Sequence, residues 1–173
     1  REMNVKSNKL YLCIDEVYKK IIEKTKNIIP SKLITLSWEG GHEDHDACNL
    51  IARKLSFKYN INKESKEFSL YNGFKTKLIY FKVFNPINKN GTYIKTNLLK
   101  RFFFIKLLFI YKSQIKVWIG LYPFIVYHYL FLGYNFLQPL NKDKIIKKPH
   151  NGKLLYEFRN FCKFGIFRNK VAK

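Results

Sequence analysis

Carboxylates are in short supply. Asp and Glu together number 12 against 33 Lys and Arg, which leaves a formal net charge of +21 over 173 residues. Cysteine is scarce as well. Cys13, Cys48 and Cys162 are an odd count, lie far apart and form no C-x-x-C pair. That excludes a disulfide scaffold and suits free thiols in a reducing, cytoplasmic compartment. No basic-then-apolar leader stands at the start, and the first residue is Arg1 rather than Met. The expectation is a chain that begins inside a larger protein. Arginine is a small share of the basic residues, and it is the side chain best suited to reading base edges and forking onto phosphates. The excess is Lys, scattered along the chain beside Asn, Ile, Phe and Tyr, a bias that reads as an AT-rich coding sequence. Nucleic acid is therefore disfavoured as a partner, since net charge speaks to non-specific association.

What the chain does have is apolar mass. Hydrophobic residues are 47% and aromatics 17%, which excludes a disordered composition. The length suits one domain over 1–173 with a core that needs no staples.

Ile14, Val17, Tyr18, Ile21, Ile22 and Ile28 recur at helical spacing. They predict a helix over Asp15–Ile29, capped by Asp15 and stopped by Pro30. Lys32–Ser37 reads as a short strand. A polar loop, Ser37–Asp46, follows, and Ala47, Leu50, Ile51 and Leu55 mark a second helix ending near Tyr59. Strand, loop and helix in this order are the unit of an open α/β sheet, whose ligands sit beyond the carboxyl ends of the strands. The loop occupies that place. Glu67–Tyr71 and Lys77–Phe84 read as two strands around an Asn72-Gly73 turn. Asn85–Gly91 is a loop. Thr96–Leu137 is apolar and aromatic and predicts one or two helices. Within it Val117–Tyr134 carries no formal charge. Pro123, Gly120, His128 and four tyrosines favour a buried or interface helix over a membrane span. Pro139–Asn151 reads as a basic loop, Leu154–Phe158 as a last short strand, and the end as a frayed basic tail.

The chemistry concentrates in Glu39-Gly-Gly-His-Glu-Asp-His-Asp46. Two histidines three apart share one face of a helical turn. Neutral imidazole is a common zinc ligand, and carboxylates both ligate zinc and orient ligating histidines. Gly40 and Gly41 permit a tight backbone. A solvated acidic loop with Asp44 or Asp46 capping the helix accounts for the same residues. Residue types alone leave the two readings open.

The run Trp38-Glu-Gly-Gly-His-Glu-Asp-His-Asp-Ala-Cys-Asn49 resembles the second signature of the PIG-L/LmbE-like zinc de-N-acetylases, a Gly-Gly-His-x-Asp-His-x-Ala pattern after a strand and opening a helix. Supporting likenesses are Glu67–Gly73, Tyr111-Lys-Ser-Gln114, Pro149-His-Asn-Gly-Lys-Leu-Leu-Tyr-Glu157 and the opening Arg1-Glu2. The resemblance implies a Rossmann-like, LmbE-like layered α/β sheet, N-terminally incomplete, with a helical aromatic-rich C-terminal part. It also implies hydrolysis of the acetamido group of an N-acetylglucosamine-type sugar, free or lipid-linked. Zinc is the implied cofactor, with His45 as a metal ligand. His42 would stabilise the oxyanion or protonate the leaving amine. Asp44 would hold and polarise a histidine. Glu39, Gly41 and His150 are the implied substrate contacts. Glu43 stands where the family commonly has proline.

The family's first signature, a His-Pro-Asp-Asp-Glu type segment carrying the remaining ligands and the base, is not in these residues. A catalytic zinc needs about three protein donors. The expectation is the C-terminal portion of an enzyme, inactive by itself. The alternatives are a remnant that lost its site, or a basic protein acting at a membrane surface or nucleic acid. Peripheral membrane contact is compatible with the enzyme reading. For His150 a surface histidine in a basic loop is the competing account. His128 reads as a core or interface residue and Cys48 as a buried thiol.

Overall fold

A 3₁₀ turn at Leu10–Leu12 leads into helix α1, Ile14–Lys24. The computed structural model describes residues 5–76, 81–110, 115–143 and 146–171, with the backbone alone at 115–118. Asp15 and Glu16 sit in the first turn of α1 and Lys24 in the last, as the helix dipole favours. Asp15 is not the cap, because the helix starts before it. Its carboxylate bonds Lys54 Nζ at 2.6 Å instead. The helix also stops short of Ile29. Thr25 bonds back to the Ile21 carbonyl through both its N–H and its hydroxyl, and Ile28 and Ile29 beyond it are exposed.

Strand β1 (Ile34–Leu36), helix α2 (Glu43–Lys58) and strand β2 (Lys66–Phe68) form a βαβ unit whose strands pair in parallel, Ile34 opposite Lys66 and Leu36 opposite Phe68. The predicted strand over Glu67–Tyr71 divides in two. β2 stays in the main sheet, while β3 (Tyr71–Asn72) pairs antiparallel with β4 (Lys82–Val83) in a separate two-stranded ribbon. The chain does turn after Asn72-Gly73, but the turn itself is Phe74-Lys75, with Asn72, still in β3, accepting the Phe74 N–H through its Oδ1. Residues 77–80 of the second predicted strand lie outside the described residues.

The apolar stretch holds two helices, α3 (Leu98–Leu107) and α4 (Ile115–Tyr127), with a 3₁₀ turn at Leu108–Ile110 and a π-helical turn at His128–Leu132. Pro123 lies inside α4. No helix among the described residues is long and apolar enough to cross a membrane. The predicted helical stretch overran its end. Gly133 terminates the π turn at φ 60°, and β6 (Tyr134–Pro139) follows. Its inward residues, Phe136 and Gln138, alternate with period two. β6 pairs antiparallel with β2 on one side and with β5 (Thr92–Lys95) on the other. The main sheet therefore runs β1-β2-β6-β5 and is mixed.

Two further expectations are corrected. Leu154–Phe158 is not a strand but a helical turn, α5 (Leu155–Phe158). Glu157 carries the reason, because its carboxylate accepts the Leu154 N–H at 2.8 Å and the Phe164 N–H at 2.9 Å and so folds the segment back. The tail is ordered as helix α6 (Phe164–Val171), anchored by buried Phe164 and Phe167. The chain is thus a mixed α/β structure with two apolar cores. One joins α1, α2, α5 and α6. The other gathers the ribbon, α4 and the π turn around Tyr71, Leu121, Ile125 and Tyr129.

Candidate functional site

The histidine loop leaves β1 at Ser37 and enters α2 at Glu43, so it sits beyond the carboxyl end of a parallel strand. His42 is the N-cap of α2: its Nδ1 accepts the Asp44 N–H at 3.1 Å. This satisfies one of the orphan donors of the first turn. It also fixes the tautomer of a neutral ring, whose proton must then reside on Nε2. Oε2 of buried Glu43 lies 3.5 Å from the same Nδ1. Both Glu43 oxygens lack a hydrogen-bond partner among the described residues, and burial raises the carboxyl pKa.

His45 lies in the first turn of α2. Its ring stacks on His42 with centroids 5.0 Å apart and meets Tyr71 edge-on at 5.3 Å. The Phe161 ring also lies near His42, centroids 6.0 Å apart. Burial, with a smaller push from His42, lowers the His45 pKa to about 4. At neutral pH His45 is therefore an uncharged imidazole, the protonation state that a metal requires of it.

The carboxylates of the motif have separate jobs. Asp44 accepts the backbone N–H groups of Asn8 at 2.6 Å and Leu10 at 3.0 Å, which pins the N-terminal segment to α2. Its contact with His42 is made by its own N–H. Asp46 is fully buried and accepts from the Glu39 and Gly40 N–H groups at 3.1 and 3.2 Å. It thereby holds the loop closed over the start of the helix, although burial pushes its carboxyl up to about 7. Glu39 is buried, and desolvation pushes its carboxyl up to about 8 against the opposing pull of Ser69 and Asn72.

Gly40 takes φ 68°, where a side chain is strained, and a Cβ there would press on Leu154. A Cβ on Gly41 would run into the Tyr71 carbonyl oxygen. Glycine at 41 lets the loop reach the ribbon, and glycine at 40 lets it pass Leu154.

His42, His45, Gly41 and Glu39 are brought together around Tyr71 and Asn72. His150 is placed on the same ribbon but further along, its ring 5.0 Å from Phe74 and its Nδ1 2.8 Å from the Asn151 carbonyl. Tyr111–Gln114 and Arg1-Glu2 lie outside the described residues. Cys48 follows on α2, and burial pushes its thiol up to about 11. His128 is buried, with Nε2 2.6 Å from the Tyr134 carbonyl.

The histidine side chain chemistry suits zinc, but the donor set is partial. No group of three His, Cys, Asp or Glu among the described residues could hold a metal ion. His45 is an available donor, and among the described residues the partners that would complete a catalytic site are not assembled beside it.

Tyr71, Phe161 and Asn72 escaped the reading of the sequence. Tyr71 had a usable signal, as an aromatic residue directly before an Asn-Gly turn. Phe161 had none, because the tail that carries it showed no pattern. A cleft of 530 Å³ lies off the other side of the loop, lined by Trp38, Arg53, Glu67, Gln138, Asp143 and Lys148, and neither motif histidine lines it.

No family model, no curated protein and no solved structure matches this chain.

Proposed function

We propose that this chain carries the histidine half of a zinc-dependent de-N-acetylase site, on a Rossmann-like sheet of the LmbE type, acting on an N-acetylated amino sugar of the N-acetylglucosamine class. The observation that carries the reading is the pair of stacked rings, His42 and His45, at the opening of α2 directly after a parallel strand. Zinc, when bound, supplies Lewis-acid polarisation of the acetamido carbonyl. His45 is its donor, kept unprotonated by burial. The remaining donors and the general base come from outside the described residues. His42 uses Nδ1 for the cap and leaves Nε2–H to donate a hydrogen bond to the developing oxyanion; protonating the departing amine would instead need an imidazolium, with Nδ1 released from the cap. Glu39, proton-bearing at neutral pH, and the close-set backbone at Gly41 form the floor on which the sugar would lie, with His150 further along the ribbon. Asp44 and Asp46 position the loop and the N-terminal segment.

The test uses the protein as expressed from its own gene, assayed for acetate release from an N-acetylglucosamine-bearing substrate, with zinc measured after gel filtration. His45→Ala should abolish zinc retention and acetate release together. His42→Ala should retain zinc and lose on the order of 10²-fold or more in kcat. Acetate release that survives His45→Ala would sink the reading.

A further inference from the structure

Helix α3 is apolar on both of its faces. Phe104 and Ile105, with Leu108 just beyond the helix, pack inward on the second core, while Leu98, Leu99, Phe102 and Phe103 face out and are exposed, Leu99 at 82%. Lys100 and Lys106 are exposed on the same helix, so its outer side mixes apolar and basic side chains, the composition of a helix that lies in a membrane interface. The exposure does not end with α3. Phe109 and Ile110 continue it on the 3₁₀ turn, Ile119 (72%) on α4 and Phe131 (71%) on the π turn. These elements are one packed body. Phe104 touches Tyr129 at 5.5 Å, Phe109 touches Tyr122 at 5.6 Å, and the Arg101 guanidinium donates to the Thr96 and Tyr129 carbonyls. A patch of this kind marks an interaction surface.

The charge around it has one sign. From Phe68 to Lys142 there is no Asp or Glu, and there are eleven Lys or Arg. All 12 carboxylates of the chain lie outside that stretch. Among the basic residues, Lys95, Lys100 and Lys106 are exposed beside the apolar side chains of β5 and α3. A protein partner would meet such a face with acidic residues at the rim and a shaped apolar core. Exposed aromatic and aliphatic side chains with exposed lysines on the same elements, in a stretch of chain without one carboxylate, fit the headgroup and acyl boundary of an anionic bilayer.

We propose that the face formed by α3, the 3₁₀ turn, the outer side of α4 and the π turn docks this protein on an anionic lipid surface. Leu99, Phe103 and Phe131 enter the acyl boundary, and Lys95, Lys100 and Lys106 meet the headgroups. The proposal does not rest on the deacetylase reading, and its test contains no sugar. The full chain is floated with vesicles of three parts phosphatidylcholine to one part phosphatidylserine, and with pure phosphatidylcholine vesicles. Binding is expected to the first, weakening steeply with salt, and at least about tenfold less to the second. The triple variant Leu99→Ser/Phe103→Ser/Phe131→Ser alters only exposed side chains. It should keep its circular dichroism and lose about tenfold or more in vesicle affinity. Should that variant fail to fold, Lys95→Glu/Lys100→Glu/Lys106→Glu makes the same test through charge. The proposal is overturned if the chain stays with the aqueous phase at low salt. It is equally overturned if vesicle binding survives both variants. It also falls if the triple variant converts a dimer to a monomer while the parent ignores vesicles, because the face would then seat a second copy. A chain that binds RNA in a salt-dependent way and not vesicles excludes it as well.

Discussion

Glu39 shows how one residue of the loop couples site and stability. Its carboxyl titrates at about 8 in the folded chain against an ordinary value of 4.5, because burial disfavours the charged form. Asp46 and Glu67 add to this, and the Ser69 hydroxyl and Asn72 amide oppose it. The folded state therefore holds a proton that the unfolded state releases as pH passes 4.5. The stabilisation from this group is complete below pH 4.5 and is lost as pH climbs to about 8. Glu39→Gln is neutral throughout and removes that slope. Urea midpoints at pH 5 and pH 8 should show the parent losing stability relative to the variant, by a difference of the order of a few kcal/mol. Equal losses in the two proteins would show that Glu39 is ionised in the fold. His42 and His45 were legible as a pair because spacing of three needs only a helical turn to bring rings together. Glu39 was legible as a site residue but not as a buried one, since nothing in Trp-Glu-Gly-Gly reveals that the ribbon will close over it. The division of labour between Asp44 and Asp46 was illegible for the same reason. Each serves backbone N–H groups, and those partners are fixed only once the N-terminal segment and the loop have folded onto α2.

Among the elements, β2 and its flanks bury a largely polar side: Ser65, Glu67, Ser69 and Tyr71 are buried, while Phe68 and Leu70 are only half-buried. The reason is a polar weld between strands and helix. Asn49 Nδ2 on α2 donates to the Leu36 carbonyl at the end of β1 at 2.6 Å and to Glu67 Oε2 on β2 at 2.8 Å. Gln138 Nε2 on β6 donates to Glu67 Oε1 at 2.6 Å. One carboxylate thus holds three elements in register. Pattern reading could locate the βαβ unit, because β1 and α2 follow the ordinary apolar periods. It could not locate β6, where Tyr134–Pro139 closes a run of apolar residues whose helical part already contains Gly120 and Pro123, so that Gly133 does not stand out as its end. It could not orient β2 either, because a buried Glu is rare unless it is paired. Asn49→Leu removes two of the weld's hydrogen bonds and leaves Glu67 half satisfied in the interior. A loss of about 2–3 kcal/mol is expected from urea unfolding. A loss below about 0.5 kcal/mol, the level of a surface change, would mean that water already serves the carboxylate.

At the scale of the whole molecule, the two ends of the described chain meet over the site. Tyr11, in the first turn, stacks on Phe167 of α6 at 5.6 Å, and Phe167 also faces Tyr156 at 6.3 Å and Trp38 at 5.8 Å. Trp38 opens the histidine loop, and Phe161, in the turn before α6, lies against His42. The tail that looked frayed in the sequence is the back wall of the loop. It was unreadable because its apolar residues follow no clear period and several of their ring partners, Tyr11, Trp38 and His42, lie more than a hundred positions away. Phe167 is completely buried while Ile166 beside it is exposed, which supplies an internal control. Phe167→Ala opens a cavity among three aromatic rings and should cost about 3–5 kcal/mol, whereas Ile166→Ala should stay within about 0.5 kcal/mol. The loss should not remain local. With Trp38 freed on one side, the Asp46 clasp on the Glu39 and Gly40 N–H groups loses its support, and those amides should exchange hydrogen faster in Phe167→Ala under conditions where the protein is still folded. If the variant is destabilised but the exchange of these two amides is unchanged, the loop is held by Asp46 and the ribbon alone, and the tail contributes to the core without supporting the site.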